Sequence, residues 1–264
     1  GDIQAYLDSH EPPFVLKPRA EASATGIKKF TERDQLRDTL ESLGPKRHRY
    51  LIEQFKPGDV YHVDAISSQG KVVFSRASQY MATPFEVAHG GGVFRSHMVE
   101  HHGEKDVALR ELNARVLKSF GMQHSASHSE YIFSKEEQQW YFLETSSRVG
   151  GANLAEMVEM GSGINLWGEW ARLETATAKG TVYQLPQTRR DYAGIIMSLS
   201  KYEQADYRLF SDPEVAWTTD KPYHVGLIVR SPDHDRVVKL LEKYAEIIRR
   251  EYTAIAPPKD VTHE

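Results

Sequence analysis

The sequence predicts an α+β fold, organised as one large or two modest domains. Short segments rich in β-branched and aromatic residues alternate with segments of helical periodicity along the chain. Several neighbouring strand segments are separated only by a short polar turn, as at Gln69-Gly70, and this spacing favours hairpins over a continuous βαβ series. The chain has 264 residues, of which 40% are hydrophobic, so it can bury a full core.

The N-terminal part predicts three strands and one helix. In order, the strands occupy residues 14–18, 27–30 and 50–55, a loop of small residues occupies 19–26, and the helix follows Thr31. Thr31 and Asp34 approximate a capping box at the start of this helix, and its leucines form an apolar stripe. Gly44-Pro45 then predicts the end of the helix.

The remaining chain predicts two hairpins, four helices and two further strands around one irregular stretch. The hairpins pair residues 60–67 with 71–75 and 128–133 with 140–144, and three helices cover 106–120, 155–160 and 163–173. Residues 78–100 lack periodicity and contain three consecutive glycines, which is typical of a loop that is functional or disordered. Further strands are predicted over 192–198 and 223–229, before a last helix capped by Ser231-Pro232.

Composition excludes several classes of function. A net charge of −4 without a basic stripe predicts no nucleic-acid partner. The absence of cysteine excludes disulfides, thiolate catalysis and thiolate metal sites, and it fits a cytoplasmic location. No apolar run approaches the roughly 18 residues of a membrane span, so no membrane association is expected. The polar start without an initiator methionine suggests a fragment of a longer protein.

The twelve histidines do not form a sequence pattern for a metal site. His97, His101 and His102 form the one cluster among them. We therefore interpret the histidines as scattered surface residues and predict no metal on them.

The most informative residues are Glu130 and Glu144, one on each strand of the second hairpin. A turn centred on Glu137 places them directly opposite each other, and the same register places Ile132 opposite Phe142. Opposed residues have Cβ atoms roughly 4.5–5.5 Å apart, where two negative charges repel unless a cation lies between them. Carboxylate oxygens suit Mg²⁺, which also takes phosphate oxygens from nucleotides. The alternative is a solvent-exposed pair in a slipped register.

Residues outside this hairpin indicate phosphate binding. Arg148 follows Glu144 by four positions and precedes Gly150-Gly151. Arginine presents a planar fork of donors to phosphate oxygens, and glycines let the backbone approach a ligand closely. Lys17 lies near the end of an apolar strand, just before the small-residue loop, and this is a suitable place for a phosphate contact. A lysine at a strand edge that binds no ligand is the alternative.

Together these residues resemble the ATP-grasp superfamily. His128-x-Glu130 followed by the segment 142–148 is similar to the metal and phosphate core of that family, and the segment 53–59 is similar to the connection that borders its adenine. The motifs from Lys17 to Arg148 stand in the family's order. The family usually has Asn where this chain has Ser146, which leaves the third metal contact open.

The resemblance implies an ATP-grasp fold in which two α+β subdomains grip a nucleotide, followed by a small C-terminal α/β subdomain. The implied boundaries are residues 1–52, 53–180 and 181–264. ATP and Mg²⁺ are the implied cofactors, and Glu130 and Glu144 are the implied metal ligands. The residues implied to contact the nucleotide, from adenine through ribose to phosphate, are Glu53, Phe55, Asp59, Lys17, Ser23 and Thr25.

The resemblance further implies an ADP-forming ligase that activates a carboxylate as an acyl phosphate and joins it to an amine, a thiol or another nucleophile. The chemistry requires positioning and charge neutralisation rather than a protein nucleophile. Arg148 would stabilise the transferring phosphoryl group, and Lys17 would steady the other phosphates. The small-molecule carboxylate and amine substrates are expected near Arg95, Gly150, Gly151 and Asn153.

The similarity is to the branch of carbamoyl-phosphate synthetase large subunits, biotin carboxylases and L-amino-acid ligases, through the segment 161–166. Members usually carry a preceding α/β domain that helps bind substrate, and this chain begins just before Lys17. The alternative function is therefore an ATP-binding module without ligase activity, either a sensor or an inactive part of a larger ligase. The sequence does not set the oligomeric state, for which a homodimer is one candidate.

Overall fold

The computed structural model describes residues 2–20, 26–82 and 92–253, and these residues form two compact units. The described part of the N-terminal unit comprises residues 2–20 and 26–57, and that of the second unit comprises 58–82 and 92–253. Both units combine helices with antiparallel strands, which confirms the predicted α+β class.

The described part of the N-terminal unit is a three-stranded antiparallel sheet with two helices packed on one face. Its elements are α1 (Asp2–Ser9), β1 (Phe14–Pro18), β2 (Lys28–Phe30), α2 (Arg33–Leu43), a short 3-10 helix (Gly44–Arg49) and β3 (Tyr50–Gln54). β1 is the central strand, and its alternation turns Phe14 and Leu16 into the core beneath the helices. Val15 and Lys17 therefore lie on the other face of the sheet.

The helix α2 starts differently from the prediction. It begins at Arg33 after Glu32, whose side chain makes no capping hydrogen bond, so the capping box predicted from Thr31 and Asp34 was wrong. Its predicted end is confirmed, because Gly44 follows the last helical residue with a φ of 51°, in a region that glycine occupies without strain.

The second unit is built on one eight-stranded sheet. Its elements are β4 (Asp59–Ser68), β5 (Lys71–Tyr80), β6 (Phe94–Met98), α3 (Glu104–Ser119), β7 (Ser125–Ser134), β8 (Gln139–Ser146), α4 (Leu154–Ser162), α5 (Leu166–Ala178), β9 (Tyr192–Leu199), a short 3-10 helix (Tyr207–Leu209), β10 (Val215–Thr218), β11 (His224–Ser231) and α6 (His234–Glu251). The strand order is β10-β11-β9-β6-β5-β4-β7-β8, and all neighbouring pairs are antiparallel.

Helices cover both faces of this sheet. On one face, α4 and α5 pack in a core that includes Ile66, Met157 and Ile195. On the other face, α3 and α6 pack over residues of opposite parity, such as Tyr61 and Ile196. We call the first the α4/α5 face and the second the α3/α6 face. Because side chains alternate along each strand, the parity of a residue decides which face it shares.

Two predicted elements are corrected in this unit. Within residues 78–100, predicted to be irregular, Phe94–Met98 form the strand β6, which pairs with β5 and β9; residues 83–91 of that stretch lie outside the described residues. The final helix is capped by Asp233 rather than by Ser231-Pro232, since the Asp233 carboxylate accepts hydrogen bonds from the backbone N–H groups of residues 235 and 236. The helix α1 and the strand β10 were not predicted.

The predicted division at residues 52/53 and 180/181 stays a prediction. Along the sequence, the boundary between the two compact units falls between Pro57 and Gly58, five residues beyond the first predicted boundary. The strands that follow residue 181, namely β9, β10 and β11, extend the same sheet that holds β4 to β8. Among residues 2–20, 26–82 and 92–253, no helix has the length and apolar character that crossing a bilayer requires.

Candidate functional site

The hairpin of β7 and β8 places Glu130 directly opposite Glu144, as predicted. The predicted pairing of Ile132 with Phe142 was wrong, because Ile132 pairs with Tyr141. An irregularity between Glu130 and Tyr131 adds one residue, Leu143, to the β8 side and restores the register of the two glutamates. Because directly opposed residues share one sheet face, the two carboxylates lie side by side on the α4/α5 face.

The carboxylate of Glu130 is held from one side by two donors. The Tyr80 hydroxyl donates to Oε1 at 2.8 Å, and His128 Nε2 lies 3.4 Å from the same oxygen. The Glu130 side chain is only 13% exposed. Burial opposes its ionisation, but the hydrogen bond and charge of His128, together with the Tyr80 hydroxyl, lower the pKa of Glu130. Glu130 is therefore an anion at neutral pH.

Behind Glu130 lies a fully buried aspartate between two histidines, which we call the buried array: His62, Asp64 and His128. His62 Nδ1 is 2.8 Å from Asp64 Oδ2, and His128 Nδ1 is 2.9 Å from Asp64 Oδ1. The far nitrogen of His62 lies 2.7 Å from the Ser96 hydroxyl. These contacts arise because β4 lies between β5 and β7, with His62 opposite Glu130 and Asp64 opposite His128.

The charged groups of the buried array stabilise one another's ionised forms. Burial alone would raise the pKa of the Asp64 carboxyl, but the charge and hydrogen bond of His128, followed by those of His62, hold it well below its usual range. Burial would lower the pKa of His128, but Asp64 and then Glu130 raise it well above its usual range. His128 is thus an imidazolium that donates to a carboxylate from each ring nitrogen.

Gly150 is buried against this array. A Cβ atom built on Gly150 would lie 2.8 Å from Asp64 Oδ1 and 2.9 Å from His128 Nδ1, whereas one on Gly151 would meet nothing within 4 Å. Gly150 therefore lets the backbone pass over protein side chains, a contact that the sequence prediction did not include. The prediction that Gly150 and Gly151 lie beside a substrate is not tested by this geometry.

Arg148 and Ser146 follow Glu144 along the chain. Ser146 pairs with His128 and has the same parity as Glu144, so it lies on the α4/α5 face. The Arg148 side chain is exposed, and its Nη1 donates to the carbonyl oxygen of Val149 at 2.9 Å. Val149 is buried in the core, which anchors the backbone that carries Arg148.

The loop after Arg148 leads directly into α4. Ala152 and Asn153 both have positive φ values, 51° and 59°, a region that non-glycine residues enter rarely. Asn153 precedes the first helical residue without a side-chain capping bond, and its carbonyl accepts from the N–H of Met157. Strained backbone of this kind often occurs at ligand sites, and the predicted substrate role of Asn153 stays a prediction.

Two predicted site residues of the second unit lie on the other side of its sheet. Asp59 has the parity of Tyr61, on the α3/α6 face, and its carboxylate is paired with Lys135 Nζ at 2.8 Å. Arg95 pairs with Ile196 on β9, and the charges that act on its guanidinium are Arg249 and Glu242 of α6. Glu130 and Glu144 lie on the opposite face of the sheet, and the predicted contact of Arg95 with a substrate carboxylate stays a prediction.

In the N-terminal unit, Lys17, Glu53 and Phe55, which were predicted to contact the nucleotide, lie on the sheet face opposite α1 and α2. Lys17 Nζ is paired with Glu53 Oε2 at 2.8 Å, and the pairing of Val15 with both Glu53 and Lys29 brings these residues to that face. The Lys29 ammonium lies over the Phe55 ring, 3.6 Å from its centroid. Ser23 and Thr25, also predicted to bind nucleotide, lie outside the described residues.

Four residues of this site were not predicted: His62, Asp64, Tyr80 and Ser96. The interpretation of the histidines as surface residues was wrong for His62, His97 and His128, which are buried. A signal was present, since His62 and Asp64 alternate with hydrophobic residues in the middle of β4, where the strand is buried, and buried polar residues require partners. The partners themselves come from other strands, so no local pattern shows them. Within the described ranges, His62, Asp64 and His128 are also the one group of three histidine or carboxylate residues whose potential metal-ligand atoms lie within 4.8 Å of one another.

Solved structures with the same architecture align over nearly the whole chain. An L-amino acid ligase from Bacillus licheniformis aligns with a TM-score of 0.65 and 16% identity over 96% of this chain and 66% of its own. An N5-carboxyaminoimidazole ribonucleotide synthetase from Thermus thermophilus aligns with a TM-score of 0.68 and 15% identity over 97% of this chain and 66% of its own. This protein has the ATP-grasp fold.

A third ATP-grasp structure carries a nucleotide. The biotin carboxylase domain of a 2-oxoglutarate carboxylase from Hydrogenobacter thermophilus, in complex with MgADP, aligns with a TM-score of 0.65 and 16% identity over 95% of this chain and 59% of its own. The chain thus spans about two thirds or less of these proteins. No protein-family model matches the sequence, and a search of curated proteins gives no match.

Proposed function

We propose that this protein is an ATP-dependent, ADP-forming ligase that activates a carboxylate as an acyl phosphate and joins it to an amine or a thiol. The observation that carries the proposal is the opposed pair of Glu130 and Glu144 on one face of an ATP-grasp sheet. Structures of this fold include one named as a ligase, one named as a synthetase and one with bound MgADP.

The residues of the second unit fit Mg²⁺. Glu130 is ionised, both of its hydrogen-bond donors use Oε1, and Glu144 brings a second carboxylate to the same face. Two carboxylates and phosphate oxygens form the oxygen-rich donor set that Mg²⁺ prefers. Bound there, Mg²⁺ would supply charge neutralisation to the phosphates of ATP. Ser146, on the same face, is the candidate for a further oxygen contact.

The basic residues are proposed to bind and orient the phosphates. Arg148 is exposed one residue before buried Val149, so its guanidinium can turn to a phosphoryl oxygen while its backbone stays fixed. Its planar fork of donors suits the charge that spreads over the transferring group. In the N-terminal unit, Lys17 is proposed as a phosphate contact, and Glu53 and Phe55 as neighbours of the base.

The test is ADP release by the full chain with Mg-ATP and pooled small carboxylates together with pooled amines and thiols. Glu144→Ala is expected to abolish the substrate-dependent ADP release, because one of the two carboxylates is lost. Glu136→Ala removes an exposed carboxylate from the turn of the same hairpin and serves as the matched control, with release unchanged.

Other outcomes decide between the alternatives. Binding of Mg-ATP without substrate-stimulated ADP formation over a wide panel would favour an ATP-binding module without ligase activity. Failure of the wild-type protein to bind Mg-ATP by calorimetry would exclude both functions.

A further inference from the structure

One row of hydrogen-bonded polar side chains includes Glu130 and draws its members from four strands. Its members, in the order in which they contact one another, are Ser96, His62, Asp64, His128, Glu130 and Tyr80. The four contacts other than that between His128 and Glu130 measure 2.7–2.9 Å. These polar groups therefore form a continuous hydrogen-bonded support behind Glu130, one of the two opposed carboxylates.

We propose that the buried array of His62, Asp64 and His128 positions Glu130 as a metal ligand, an inference that rests on the proposed function. His128 and Tyr80 converge on Oε1 of Glu130, and among the described residues no group donates to Oε2. Two donors on one oxygen fix the rotation of the carboxylate and leave the other oxygen to a cation. Asp64 in turn fixes the ring plane of His128 through Nδ1.

The cost of the array supports a positioning role. Asp64 has no exposed surface, and burying a carboxylate costs several kcal/mol unless charged partners compensate for the lost water. Packing alone would be satisfied by apolar residues, which fill the same sheet face at Ile66 and Ile195. Gly150 lies against Asp64 and His128, so the array also supports the backbone two residues beyond Arg148.

The three residues of the array also form a group that a transition metal could occupy. The observed geometry favours hydrogen bonds. Each histidine Nδ1 faces a different oxygen of Asp64, at 2.8 and 2.9 Å, and the far nitrogen of each ring meets its own oxygen, on Ser96 and on Glu130. Each ring nitrogen of His62 and His128 therefore already has a hydrogen-bond partner.

The experiment measures Mn²⁺ binding by electron paramagnetic resonance, with a non-hydrolysable ATP analogue, in the full chain. Asp64→Asn keeps the shape but removes the charge that holds His128, and it is expected to weaken Mn²⁺ binding about 10-fold or more, the usual effect of losing a partner behind a metal ligand. Binding of the analogue without metal is expected to stay unchanged. Tyr80→Phe, which buries no new polar group, is expected to weaken Mn²⁺ binding in the same direction.

Tyr131→Phe is the matched control. It removes a buried tyrosine hydroxyl next to Glu130, but that hydroxyl contacts Asn113 on the α3/α6 face. Mn²⁺ affinity is expected to stay at the wild-type value in this variant. A double-mutant cycle gives the decisive readout: in a Glu130→Gln background, Asp64→Asn should add no further loss, because its effect passes through Glu130.

The outcomes separate this inference from the proposed function. If the wild-type protein binds Mn²⁺ with the analogue, but Asp64→Asn and Tyr80→Phe bind it equally well, the positioning role is overturned and the function stands. The same holds if the loss in the double variant is the sum of the single losses. One equivalent of a tightly held transition metal, lost in His62→Ala, would overturn the hydrogen-bonded support in favour of a metal centre.

Discussion

Replacing Gly150 by alanine tests how closely the loop that follows Glu144 is packed on the buried array. The new Cβ would lie 2.8 Å from Asp64 Oδ1, 2.9 Å from His128 Nδ1 and 3.4 Å from His128 Cε1. The first two separations are shorter than a carbon atom tolerates from either partner. Neither side chain can move away easily, because each is buried and hydrogen-bonded to the other.

The size of the effect follows from this overlap. Inserting a methyl group into a packed interior typically costs about 1–3 kcal/mol. For a unit of this size, each kcal/mol corresponds to roughly 2–4 °C in the melting temperature, so Gly150→Ala is expected to melt roughly 2–12 °C below the wild type. Gly151→Ala, one residue further on, places its Cβ in open space and is expected to be neutral or slightly stabilising.

The assay is thermal and urea denaturation of both variants, followed by circular dichroism, with the wild type alongside. The comparison between neighbouring glycines removes effects of loop position and of glycine itself. Equal midpoints for Gly150→Ala and Gly151→Ala would refute the close approach of this loop to Asp64 and His128. A large loss in both variants would show instead that backbone conformation, and not the contact, limits this loop.

Three further predictions follow from individual contacts. The free energy of unfolding should depend on pH through the buried array. Because the pKa of Asp64 is lowered, its stabilising contribution is present above about pH 4 and lost in acid; because the pKa of His128 is raised, its contribution is full below about pH 6.5 and lost as the pH rises towards the raised pKa. An Asp64→Asn variant whose urea midpoint varies with pH as steeply as that of the wild type would contradict this. Lys17→Met should weaken ATP binding roughly 10- to 100-fold, because one charged hydrogen bond is lost. The control is Lys28→Met, which removes an exposed lysine on the helix side of the same small sheet and should leave the affinity unchanged. Calorimetry measures both affinities, and equal values would contradict a phosphate contact by Lys17. Arg236→Ala should lower the melting temperature, because Asp212 and Glu214 both lose their guanidinium partner, and calorimetric melting that shows no change would count these ion pairs as surface contacts of no consequence.

Much of the fold could be read from local patterns. The strands β1, β3, β4, β7, β8, β9 and β11 fall close to the predicted segments, because alternation and turn residues are properties of short stretches. The strand β6 was missed, since three of its five residues are polar, and two of these, Ser96 and His97, are buried only by the surrounding structure. The pattern of a strand that depends on its neighbours cannot be recognised in its own sequence.

At the candidate site, the pairing of the two glutamates could be predicted from the sequence, but the register around it could not. The sequence predicted correctly that Glu130 and Glu144 face each other, because both belong to one hairpin with a short turn. It did not determine the bulge at Leu143, which compensates for a turn centred half a residue away from the predicted position. Even within a hairpin, register depends on irregularities that tertiary packing sets.

The groups that contact Glu130 come from distant parts of the chain and depend on how the strands are arranged in the sheet. Asp64 meets His128 because β4 pairs with β7 across 64 positions of the chain, and Tyr80 reaches Glu130 from β5, on the far side of β4. The register of β6 with β9 places Arg95 opposite Ile196 and therefore on the other face. Local sequence fixes the alternation of side chains along a strand, whereas the order of strands in a sheet follows from long-range burial, and that order decides which polar groups meet.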